Sequence, residues 1–131
     1  MPWPCRMIEW RKGMTEEDLQ VGDMWFHSER FRDEEGYFTW PFMFSKAARL
    51  SDFYKQNNAH REPLLVWMPS KDVFCVDAMC WHGRTLYGGW QVTGEPPLIT
   101  VNPSINLVGG YHGWIQNGII SDDCEGRRYA A

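Results

Sequence analysis

The stretch GGWQVTGEPPLITVNPSINLVGGYHGWIQNGIISDDCEG, residues 88–126, decides the reading of this chain. Its sharpest local signal is Asn117-Gly118. That dipeptide accepts positive φ at both central positions of a type I′ turn, the two-residue loop whose twist matches the strands it joins. The flanks, Tyr111 to Ile115 before it and Ile119-Ile120-Ser121 after it, suit a half-buried pleated surface. A hairpin over residues 111–121 is therefore expected. Upstream, Leu98-Ile99-Thr100-Val101 is a strand-forming run that cannot begin before Pro97, because neither Pro96 nor Pro97 has an N–H to give a ladder. Asn102-Pro103 is expected to end that run, and Gly109-Gly110 to let the backbone reverse.

Strands 98–103 and 111–116, paired antiparallel around a loop at 105–110, would carry Ser104 and His112 to the same end of the ladder. Directly opposed residues there have Cβ atoms about 5 Å apart, within reach of a hydroxyl–imidazole hydrogen bond. A fully extended segment would instead separate them by about 26 Å. A serine hydroxyl is a poor nucleophile until a base takes its proton, and neutral imidazole suits that role near pH 7. An acid must orient the imidazole. Asp77, Asp122 and Asp123 are available, spacing does not select among them, and Asp77 is taken as the working assignment. Gly109, Gly110 and Gly113 would leave backbone N–H groups free for an oxyanion. The ordinary alternative is a turn hydrogen bond at Ser104 after Pro103, with His112 a strand residue whose ring is satisfied.

At 131 residues the chain is expected to be a single domain, 1–131, with residues 1–14 as an arm or edge segment. A net charge of −4 argues against generic attraction to nucleic acid. The longest apolar run, Leu64 to Met68, is too short to span a membrane, and Met-Pro-Trp-Pro-Cys is not a signal peptide, so a cytosolic protein is expected. The remaining elements read in order. Thr15 caps a short helical start with Glu16, Glu17 and Asp18 in its first turn. Met24 to His27 is a strand, Ser28 to Gly36 a charged loop, and Tyr37 to Phe44 an irregular aromatic connection broken by Pro41. A helix is expected from Ser45 to Asn57. Leu64–Met68 and Val73–Asp77 flank the turn Pro69-Ser70-Lys71-Asp72 as a second hairpin. Residues 78–89 read as a loop, followed by a strand at Trp90 to Thr93. The sum is an α+β class, mainly antiparallel β hairpins with one or two short helices.

Two further constellations bear on chemistry. Cys75, Cys80, His82 and His112, with Cys124 in reserve, could form a tetrahedral zinc site. The spacing lacks the usual C-x2-C pair, and a buried free thiol in an apolar strand is ordinary, so no metal or cofactor is the working expectation, with zinc as the alternative. Eight tryptophans form an aromatic excess. Trp90, Tyr111 and Trp114 are candidates for a binding surface, and the excess would mark a protein-binding face if several rings lay together outside.

Residues 90–129 resemble a family of small uncharacterised phage and prophage proteins, some of which carry the label "ammonia monooxygenase". The resemblance rests on Trp90 to Pro97, Asn102-Pro103-Ser104-Ile105, Tyr111 to Ile115, Asn117-Gly118 and Asp122 to Arg127, with Leu19 to Phe26 upstream. Pro103-Ser104-Ile105 and His112-x-Trp114-Ile115 are also distantly similar to bacterial proteins encoded in operons with ubiquitin-like proteins, for which a peptidase role has been suggested. The resemblance implies a phage-encoded protein of the host cytoplasm. It would then be expected to act on a peptide or isopeptide bond of a ubiquitin-like or other host protein, with Ser104 as nucleophile and His112 as base. The alternative is a non-catalytic module that blocks a host defence factor through an aromatic surface.

Overall fold

The computed structural model describes residues 2–27, 51–58, 60–82, 85–87, 89–107 and 109–129, with the backbone alone for 80–82 and 85–87. The expected charged loop, the aromatic connection and residues 45–50 of the expected helix lie outside the described residues. The fold is mainly β. Among the described residues the only helical elements are a 3-10 turn, Glu16–Asp18, and one α-helix, α1, Asp52–Asn57. The first is closed by a capping box, in which Thr15 Oγ1 accepts from Glu17 N while Asp18 Oδ2 accepts from Thr15 N. The second begins later than its periodicity suggests. Ser51 is extended and caps it by accepting from Tyr54 N at 3.1 Å, so no helix runs unbroken from Ser45.

The first sheet has five strands in the order β1-β11-β10-β9-β8. These are Trp3–Pro4 (β1), Gln91–Thr93 (β8), Thr100–Asn106 (β9), His112–Gln116 (β10) and Ile119–Ile120 (β11). The expected hairpin joins β10 to β11, with Asn117 at φ 46° and Gly118 at φ 76°. The second sheet runs β2-β3-β4-β5, made of Arg6–Met7, Asp23–Phe26, Leu64–Trp67 and Val73–Cys75. Thus residues 1–14 contribute edge strands to both sheets: β1 pairs with β11, and β2 runs parallel to β3. Arg6 Nε donates to the buried Asp23 carboxylate at 2.5 Å and pins that second pairing.

Period-two alternation explains why Leu64-Leu65-Val66-Trp67 is continuously apolar. Both faces of β4 are buried. Leu64 and Val66 join Met24, Phe74 and Val76 against Val92, Val101, Ile105, Ile115 and Ile120 of the five-stranded sheet. Leu65 and Trp67 turn the other way, onto Trp10, Leu19, Trp25, Val73 and Cys75. Each such fully buried aliphatic side chain contributes about 1.5–3 kcal/mol relative to leaving it in water. On the opposite face of the five-stranded sheet Gln91, Thr93, Asn106, Trp114, Gln116 and Ile119 are exposed, while Ser104 and His112 are half-buried.

Two sequence expectations need correction. Residues 78–89 are not a loop throughout, since Cys80–His82 (β6) and Thr85–Tyr87 (β7) form an antiparallel pair. Nor does Asn102-Pro103 end its strand. β9 runs through to Asn106, and the ladder shifts register there, with Gly113 opposite Ile105 but Ile115 opposite Val101. Pro103 falls within this irregularity, where a missing N–H leaves no gap in regular pairing.

Candidate functional site

β9 and β10 pair antiparallel as expected, but with His112 opposite Asn106 rather than Ser104. Alternation along β10 turns Gly113 and Ile115 inward and His112, Trp114 and Gln116 outward. On β9, Ile105 points in, so Ser104 and Asn106 share the outer face with His112. Ser104 is thus the diagonal neighbour of His112. Such positions have Cα atoms about 7–8 Å apart, reachable by a long side chain through a rotamer change. No hydrogen bond joins the two side chains. The Ser104 carbonyl accepts from Trp90 Nε1 at 3.3 Å, and the Trp90 ring stands edge-on against Phe74 at 4.8 Å.

The carboxylates around His112 come from the tail that follows β11. Its backbone N–H donates to Asp123 Oδ2 at 3.0 Å, and its carbonyl accepts from Cys124 N at 2.8 Å. Burial alone would push the Asp123 carboxyl up. Hydrogen bonds from the Tyr129 hydroxyl and from the His112 and Glu125 backbone amides outweigh it and hold the group well below the usual carboxylate range. In return, burial and then the Asp123 carboxylate push the Tyr129 phenol up to about 12. The imidazole is a quarter exposed, and its buried nitrogen, Nδ1, lies 3.7 Å from Glu125 Oε1, too long for a hydrogen bond. Glu125 is itself held by Arg127 Nη1 at 2.6 Å.

Asp77 is placed elsewhere. Its buried carboxylate is taken by Arg61, with contacts of 2.7 and 3.2 Å, and by Leu64 N at 2.9 Å. That set secures the start of β4 to the end of the β4–β5 hairpin, and Glu125, which sequence reasoning passed over, is the acid that faces the imidazole. Nothing in the spacing marks Glu125, because the tail folds back through Asp123. Asp122 is exposed. Among the glycines, Gly110 N already donates to Leu107 O at 2.7 Å, so it is not free for an oxyanion.

Of the proposed binding aromatics, Trp90 is half-buried and Trp114 is 38% exposed, but Tyr111 is fully buried. Its hydroxyl meets Ser121 O at 2.8 Å, Ser121 Oγ at 3.0 Å and Trp114 O at 3.3 Å, so it braces the sheet from beneath. Gly113 lies over it: a Cβ there would come within 2.7 Å of both Tyr111 Cζ and Ser121 Oγ. The satisfied phenol is why Tyr111 could go inside instead.

For the zinc alternative, the Cys80 and His82 side chains lie outside the described residues. Cys75 is buried, and burial pushes its thiol up to about 12, away from the thiolate a metal needs. Among the described residues no three His, Cys, Asp or Glu groups converge as a metal site, and no helix is long and apolar enough to cross a membrane. No protein-family model, curated protein or solved structure matches the chain.

Proposed function

We propose that the outer face of β9 and β10 is a serine-type hydrolytic site acting on a peptide or isopeptide bond. Ser104 Oγ would attack the carbonyl carbon and pass its proton to His112 Nε2. The imidazolium would give that proton to the leaving amine, and water would release the acyl group with His112 again as base. Glu125 on the Nδ1 side stabilises the imidazolium, and Asp123 fixes the strand that carries it. Asn106, opposite His112, offers an amide donor on the same face for the developing oxyanion. The observation that carries the reading is the shared outer face of Ser104 and His112, both half-buried, with a carboxylate 3.7 Å from the buried ring nitrogen. The resemblance of residues 90–129 to phage proteins, and of the Ser104 and His112 motifs to suggested peptidases, supports a ubiquitin-like or other host protein in the host cytoplasm as substrate.

The test is turnover of an isopeptide-linked fluorogenic substrate. Wild type is expected to cleave it, and Ser104→Ala and His112→Ala to lose at least 100-fold (a general base contributes about 10²–10⁴-fold) with unchanged unfolding midpoints. Wild-type turnover in both folded variants would defeat the proposal. A second reading is favoured by Trp114 and Ile119, exposed at 38% and 42% on adjacent strands of the same face. In that reading the face is a non-catalytic surface that blocks a host defence protein. It predicts that Trp114→Ala abolishes binding while Ser104→Ala does not.

A further inference from the structure

A cavity of about 740 Å³ opens between β1, the 3-10 turn and the β4–β5 hairpin, and its walls share no residue with the Ser104–His112 face. Trp3, Leu19, Val21 and Trp67 line it together with Glu16, Glu17 and Gln20. That volume is the size of a small-ligand site, and its lining is polar and apolar in about equal parts. The two glutamates are not occupied in closing the turn they belong to, because Asp18 supplies the carboxylate of the capping box. Lys71 is the counter-charge in the described wall, so the lining carries two carboxylates against one ammonium.

The chemistry of that lining selects one ligand class. Indoles attract cations more strongly than other aromatic rings do. Carboxylates add direct attraction, and the aliphatic walls accommodate a stem of several methylenes. An anion would be repelled by the two glutamates, and a neutral apolar molecule would gain no attraction from them. We propose that this cavity binds an organic cation, an ammonium or guanidinium carried on an apolar stem. Two sources share that chemistry: a free amine, and a lysine or arginine side chain of a partner protein.

The test uses the full chain and a matched pair of probes, 2-phenylethylamine, charged at pH 7, and 2-phenylethanol, its neutral counterpart of the same size. Binding is read by calorimetry and by the indole N–H shift of Trp3. The amine is expected to bind saturably and about tenfold more tightly than the alcohol. The exposed pair Glu16→Gln and Glu17→Gln together should erase that preference without altering the fold. Trp3→Leu, which keeps an apolar group at β1, should weaken the amine several-fold. Equal binding of amine and alcohol, an unsaturable shift, or a preference that survives loss of both carboxylates would overturn the proposal. Nα-acetyl-lysine methylamide separates the sources. Tighter binding than phenylethylamine assigns the site to a protein side chain, and weaker binding assigns it to a free amine.

Discussion

Gly113→Ala is the most informative single change in the hairpin that carries His112. Gly113 faces inward over Tyr111, and an added Cβ would lie 2.7 Å from Tyr111 Cζ and from Ser121 Oγ. Tyr111 is fully buried and cannot swing aside, so either the ring or the strand must move. Overpacking of this kind costs about 1–3 kcal/mol. Displacing the ring also breaks its hydroxyl contacts with Ser121 and Trp114, each net hydrogen bond being worth about 0.5–1.5 kcal/mol. We expect about 3 kcal/mol in all, or a fall in melting temperature of about 10 °C for a chain of this size. Urea unfolding followed by tryptophan fluorescence should show a lower midpoint at unchanged slope. Tyr111→Phe should cost about 1.5 kcal/mol. The double variant should fall short of the sum, because both changes act on the same Ser121 contacts. A wild-type midpoint for Gly113→Ala, or strict additivity, would refute the bracing role assigned to Tyr111.

Asp77→Asn should destabilise the fold by about 3 kcal/mol, since it leaves Arg61 facing a neutral partner in a largely buried setting; denaturation reads it, and any turnover should persist in the folded fraction. Asp123 predicts a pH dependence. Its folded pKa is depressed, so the unfolded chain binds more protons, and its stabilisation is present above the unfolded value of about 3.9 and is lost as pH falls below that. Urea midpoints at pH 7, 5 and 3.5 should fall more steeply for wild type than for Asp123→Asn, and parallel curves would contradict this. Ser51→Ala removes the cap of α1 and should cost about 1 kcal/mol in the same assay.

The parts legible in the sequence were those fixed by local chemistry. Asn117-Gly118 permits the positive φ that the β10–β11 turn requires, and Pro69 to Asp72 separates two apolar runs that pair as expected. What escaped was decided by contacts distant in sequence. Tyr111 reads as a surface ring until Ser121 is known to receive its hydroxyl. Asp77 reads as a free acid until Arg61, sixteen residues earlier, folds over it. The glycines of 78–89 conceal the short β6–β7 pair, whose strands are too brief for alternation to register. At the site, alternation along the two strands puts Ser104 and His112 on one face, whereas their diagonal register came from the tight loop closed by Leu107 and Tyr111, which sets Asn106 opposite His112.

The central claim is that Ser104 is activated by His112, and a fluorophosphonate probe with intact-mass and peptide mapping tests it most directly. The account predicts one adduct, on Ser104, formed by wild type, lost in Ser104→Ala and strongly slowed in His112→Ala and Glu125→Gln. No adduct on the folded wild-type protein, or one that still forms in Ser104→Ala, would contradict it.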